Sequence, residues 1–107
     1  MTSTNVAQVL RLADSVDYQP GAIVSRQITK TDGGNVTLFA FDAGQELSEH
    51  TAPFDALVHV LEGEAEVRIG GRPSNLQSGD AIVMPAGIPH AVRAIERFKM
   101  LLTMIRA

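Results

Sequence analysis

Gly79-Asp80-Ala81-Ile82-Val83-Met84-Pro85-Ala86-Gly87-Ile88-Pro89-His90 is the stretch that decides how this 107-residue chain folds. Ala81 to Met84 is an apolar run too short for a helix and suited to a strand. Gly79 and Asp80 precede it as a turn pair. Pro85-Ala86-Gly87 ends it, because proline lacks a backbone donor and glycine accepts the positive φ of a tight turn. Pro89 then fixes the backbone entering His90, where a second strand, His90 to Ala94, begins. Two short strands joined by a stiff turn are the punctuation of an all-β chain.

The same pattern extends outward on both sides. Upstream, Ala22 to Thr29 and Asn35 to Phe41 read as strands around the hairpin turn Asp32-Gly33-Gly34. Val36, Leu38, Phe39 and Phe41 place apolar groups on both faces of the second strand. One face can fill a core, and the other requires a cover, from a second subunit or from the N-terminal segment. Leu57 to Leu61 leads through Glu62-Gly63 into Glu64 to Ile69, where Glu64, Glu66 and Arg68 alternate with Ala65, Val67 and Ile69, giving one wet face. Gly70-Gly71 and Leu76-Gln77-Ser78 turn the chain back towards the opening stretch. Downstream, Lys99 to Ile105 forms a last strand beyond a turn at Glu96-Arg97. At the other end, Val6, Val9, Leu10 and Ala13 predict a short helix or turn over Asn5 to Val16, with Ser3 or Thr4 as its cap, and Tyr18-Gln19-Pro20-Gly21 ends it. Strands this short and this tightly joined close as a sandwich or a small barrel. With no linker or repeat, residues 1–107 form one domain, of which 1–21 is the N-terminal segment.

Composition excludes several classes of function. The formal charge is -3 and Lys and Arg form no stripe, so nucleic acid is not an expected partner. There is no cysteine, hence no disulfide framework, thiolate nucleophile or zinc-thiolate centre. No apolar run approaches the ~20 residues of a membrane span, and Met1 to Asn5 does not read as a leader, so no membrane partner and a cytoplasmic location are expected. Asp32-Gly33-Gly34 joins two strands and is not a phosphate loop, and Ser25, Ser48, Ser74 and Ser78 lack a histidine in a recognisable nucleophile setting. A chain this short buries only ~60–65% of its unfolded surface, so its two-faced apolar strands point to a homodimer.

Two segments resemble the cupin superfamily, in particular its small single-domain, RmlC-like members. The family's first motif runs glycine, five residues, His-x-His, three or four residues, glutamate, six residues, glycine; here Gly44, His50 and Gly63 supply the frame. Its second motif runs glycine, five residues, Pro-x-Gly, two residues, histidine, three residues, asparagine; Gly79 to His90 keeps every spacing. The resemblance covers roughly residues 35–105 and implies a double-stranded β-helix, the cupin jelly-roll barrel. It also implies a divalent ion held inside the barrel by three histidines and a glutamate. This chain keeps the first histidine as His50 and the last as His90. Ala52 and Ala56 stand at the other two ligand positions, and Ala94 at the asparagine position.

Two imidazoles fall short both of the two-histidine, one-carboxylate iron site and of the three-ligand zinc site. Strand parity from an inward-facing His50 brings Ser48 and Glu46 to the same side, so Glu46 is the replacement carboxylate the spacing offers. A zinc, iron, manganese or nickel ion on His50 and His90 would be incompletely held, and no tightly bound cofactor is expected. The two histidines can instead act as polar contacts for an organic ligand, with Met84, Ala52 and Ala56 lining the cavity. His59, at odd spacing from Ala56, faces away. Arg93 and Lys99 are expected on a solvated outer face. The leading expectation is a homodimeric cupin that binds an unidentified small molecule. A divalent-metal cupin enzyme of oxygenase, isomerase or decarboxylase type, and a ligand-free homodimeric interaction protein, stand beside it.

Overall fold

The structure, a computed structural model, describes residues 7–106. Nine strands form two antiparallel sheets. β1 (Ile23–Thr31), β2 (Gly34–Phe41), β9 (Phe98–Arg106), β4 (Phe54–Glu62) and β7 (Ala81–Met84) make one in the order β1-β2-β9-β4-β7. β3 (Glu46–His50), β8 (His90–Ala94), β5 (Glu64–Ile69) and β6 (Arg72–Gln77) make the other in the order β3-β8-β5-β6. The inward rows of both sheets, among them Phe41, Val58, Val60, Val67, Val92 and Met100, form the core. Phe41 and Phe98 are opposite each other in register, with ring centroids 4.5 Å apart. This is the expected jelly-roll.

Every strand read from the sequence is present, with Glu64–Ile69 and His90–Ala94 at the expected bounds. β3 and β6 were not named in advance. β6 carries Pro73 and buries only Leu76, so it resembles a loop; it can be a strand because it lies at a sheet edge, where a missing N–H breaks no second ladder. Gly63, between β4 and β5, has φ +81 and lies against the backbone of Arg97 and Phe98, a position with no room for a Cβ.

Around residues 7–21 the expected short helix or turn is a single 3₁₀ turn, Leu12–Asp14; Ser3 and Thr4 lie outside the described residues. Packing overrides the periodicity. Leu12, Val16 and Tyr18 cover Leu38, Ala40 and Leu101 on the outer face of the larger sheet, while Val9 stays exposed. Lys99, expected in solvent, is buried beneath this segment. Its ammonium donates to the Ala13 carbonyl and lies 4.9 Å from the Tyr18 ring centre. Tyr18 in turn donates its hydroxyl to Glu62 at 2.7 Å. Burial first, and then the Glu62 carboxylate, raise the phenol well above its ordinary pKa. The N-terminal segment thus supplies part of the cover that the two-faced β2 requires. Among the described residues no helix is long and apolar enough to cross a membrane.

Candidate functional site

The site is built where β3 meets β8. Glu46 pairs with Arg93 and Leu47 with Val92, but the next pair is His50 with His90, so β3 advances three positions while β8 advances two. That is a β-bulge, and it reverses the side-chain parity along β3. Leu47 and His50 therefore both face inward although an odd number of positions separates them. Glu46, Ser48 and Glu49 instead line a groove of about 610 Å³ on the outer side of the sheet, with Glu66, Arg68 and Arg93. The expectation that Glu46 shares a face with His50 is thus corrected: parity counting assumed an unbroken strand. In the groove Glu66 accepts from Arg68 at 3.2 Å and lies 3.6 Å from Arg93. The Arg68 hydrogen bond is the main cause holding the Glu66 carboxyl below its usual range.

On the inner side, His50, His90, Met84, Ala52 and Ala56 line one pocket of about 50 Å³, so the structure brings together all five residues picked from the sequence for the cavity. Leu47, Val92, Met100, Leu102 and Met104 complete the lining. Met100 and Met104 were not singled out for the cavity. Their alternation along one strand was visible in the sequence, but not that β9 would lie beside Ala56. His59 pairs with Ala81 and Leu101 on the outer face, as alternation required.

The two imidazoles meet edge to face at the mouth of the pocket, Nε2 to Nε2, at 3.2 Å. His90 is 3% exposed, and His50 is open to solvent. Each Nδ1 lies beside the carbonyl two residues earlier, at 2.8 Å for His50 with Ser48 and 3.2 Å for His90 with Ile88. A carbonyl oxygen only accepts, so each neutral ring carries its proton on Nδ1 and turns an Nε2 lone pair towards the other. Two facing acceptors are satisfied only by a proton or another electron-pair acceptor beside them.

Burial is the larger cause that lowers the His90 pKa, followed by the charge His50 can carry; the hydrogen bond to Ile88 works in the opposite direction. Because the folded value lies below the unfolded ~6.5, protonation favours the unfolded chain. The stability associated with a neutral His90 is therefore complete above about pH 6.5 and falls as the pH drops towards the folded value. Urea midpoints between pH 7.5 and 5.5, with a chelator present, are expected to decline in the wild type and to decline less in His90→Gln. Parallel profiles for the two proteins would refute this.

The donor set also tests the divalent ion that the resemblance implied. Among the described residues no three His, Cys, Asp or Glu side chains cluster as metal ligands, and the pocket walls around the two imidazoles are methyl, aliphatic and thioether groups. Without an anionic ligand in a poorly solvated cavity, these residues do not fit such an ion.

The family described as the cupin domain matches residues 37–105. Among solved structures, a conserved protein of unknown function from Streptococcus pyogenes is 40% identical with a TM-score of 0.89, over 94% of this chain and 89% of the other. A cupin 2 conserved barrel protein from Leptotrichia buccalis is 42% identical with a TM-score of 0.88, over 91% of this chain and 47% of the other. A cupin superfamily protein from Desulfitobacterium hafniense is 28% identical with a TM-score of 0.89, over 94% of this chain and 93% of the other. No curated protein matches the chain with significance. The jelly-roll topology, both motif frames and these similarities agree: the chain belongs to the cupin family.

Proposed function

We propose that the chain is a small-molecule-binding cupin whose pocket takes a short apolar group bearing one hydrogen-bond donor. The observation that carries this reading is the convergence of two Nε2 atoms, 3.2 Å apart, at the mouth of an otherwise apolar pocket. Their lone pairs suit a hydroxyl or an undissociated acid, and among the described residues no other polar side chain lines the wall. A volume of about 50 Å³ admits roughly three or four water-sized groups, and flexible methionines can widen it. The cavity is narrow but not filled by side chains, which favours a ligand over a barrel that only presents surfaces. The donor set disfavours the divalent-metal enzyme. Calorimetric titration with straight-chain acids and alcohols of two to six carbons is expected to show saturable binding, weakened about tenfold in His50→Ala by loss of one acceptor. Identical isotherms for wild type and variant would reject the reading.

We also infer a homodimer, formed through the part of the larger sheet that is bare among the described residues. There Leu57, Val83 and Ile105 are 38, 53 and 57% exposed, and Leu57 is opposite Val83 in register. Among the described residues, the N-terminal segment packs into the cluster of Leu38, Ala40 and Leu101, which does not include these three, and a second copy supplies an equivalent apolar face. Sedimentation velocity is expected to show a dimer for wild type and a monomer for Val83→Glu. A wild-type monomer would dispose of the idea.

A further inference from the structure

We propose that the pocket is a soft-metal site, in which His50, His90, Met84 and Met104 hold one Cu(I) ion. The proposal rests on the pocket being a binding site, as above, but not on its occupant being organic. Three observations carry it. First, the Nε2 atoms are 3.2 Å apart, so an ion about 2.0 Å from each would see them about 106° apart, close to a tetrahedral angle. Second, Ala56 is paired in register with Met84 on one side and Met104 on the other, and all three line the pocket. Where a carboxylate would have supplied a hard oxygen, the chain carries a methyl flanked by two thioethers. Third, all the available donors are neutral.

Imidazole and thioether are the ligands that select Cu(I), whereas ions such as Mn²⁺ and Mg²⁺ demand oxygen. Charge reinforces that choice. The desolvation penalty of an ion rises with the square of its charge, so an enclosed site without an anionic ligand takes a monovalent ion far more readily than a divalent one. A cavity of about 50 Å³ also suits a bare ion. With no cysteine in the chain, no thiolate competes for it.

The test is an anaerobic titration of the full chain against the Cu(I) complex of bicinchoninate, with Ag(I) and Zn(II) in parallel arms. Wild type is expected to withdraw one equivalent of Cu(I), to lose it to Ag(I), and to retain no Zn(II). The double variant Met84→Leu/Met104→Leu nearly conserves side-chain volume and is expected to fold. It should bind Cu(I) more than ~10-fold more weakly, beyond the lower bound seen even for outer-shell partners. A wild type that takes up no Cu(I) but binds short-chain acids with a dependence on His50 would overturn this proposal and leave the organic-ligand reading standing, so the two failures are told apart. If the double variant does not fold, X-ray absorption of the wild-type Cu(I) complex decides, with a sulfur shell beside nitrogen expected. No Cu(I) uptake, equal affinity in the two proteins, Zn(II) held as tightly as Cu(I), or a shell without sulfur would each overturn the proposal.

Discussion

Gly63→Ala is expected to remove about 4 kcal/mol of stability, combining the usual cost of a non-glycine residue at positive φ with that of overpacking. Gly63 has φ +81, and a Cβ there would lie 1.9 Å from the Arg97 carbonyl oxygen and 2.7 Å from the Phe98 Cα. Both obstacles are backbone, at the start of β9, the strand that pairs with β2 and β4 together, so neither can yield without disturbing the sheet. Gly71 is the control. Its φ is +80, but nothing lies within 4 Å of its virtual Cβ, so Gly71→Ala should cost only the backbone strain of about 1–3 kcal/mol. Urea unfolding of both variants separates the two terms. Equal midpoints would show that the close approach at Gly63 has no energetic weight. Domains of this size hold about 5–15 kcal/mol in all, so the loss would take from about a quarter to most of the total.

Phe98→Ala is expected to cost about 3–5 kcal/mol, the range for deleting a buried phenylalanine. Phe98 is fully buried, stacks on Phe41 at 4.5 Å, and its Cβ would lie 2.7 Å from a Cβ added at Gly63. Phe98→Leu keeps most of the volume and should cost distinctly less. Because Gly63 and Phe98 touch, combining Gly63→Ala with Phe98→Ala should fall short of the sum of the separate losses. A cost below ~1 kcal/mol for Phe98→Ala alone, measured by urea unfolding, would mean that the core closes over the gap or that the ring is not packed as described.

The fold was legible where local chemistry and tertiary context agree. Ala81–Met84, its proline-glycine stop and the strand from His90 each have one local reading, and the fold uses all of them. Edge position made the difference at β6, where Pro73 spoke against a strand. Between Asn5 and Val16 the spacing of Val6, Val9, Leu10 and Ala13 suggested a helical face, but the side chains that cover the sheet are Leu12, Val16 and, beyond them, Tyr18. The site was half legible. Motif spacing located His50 and His90, while the pairing of their rings at 3.2 Å is a property of the fold. Glu46 was misplaced because a bulge is a mismatch between two strands, and one strand's sequence does not contain it. Met104 was missed for a related reason. Met84 and Met104 flank Ala56 only through cross-strand register, and they are 20 positions apart along the chain.

The central place of β9 in its sheet has a consequence during synthesis. The hairpin β1–β2 and the pair β4–β7 are connected only through β9, the last of the nine strands to leave the ribosome. Translation at ~5–20 residues per second leaves roughly 3 to 11 s between the appearance of Phe41 and that of its partner Phe98. Throughout that interval β2, joined by β4 once Glu62 has been made, displays an apolar ladder edge with no mate. Crowded nascent chains are then most prone to pair with one another, and a chaperone that shields extended strands would have most effect.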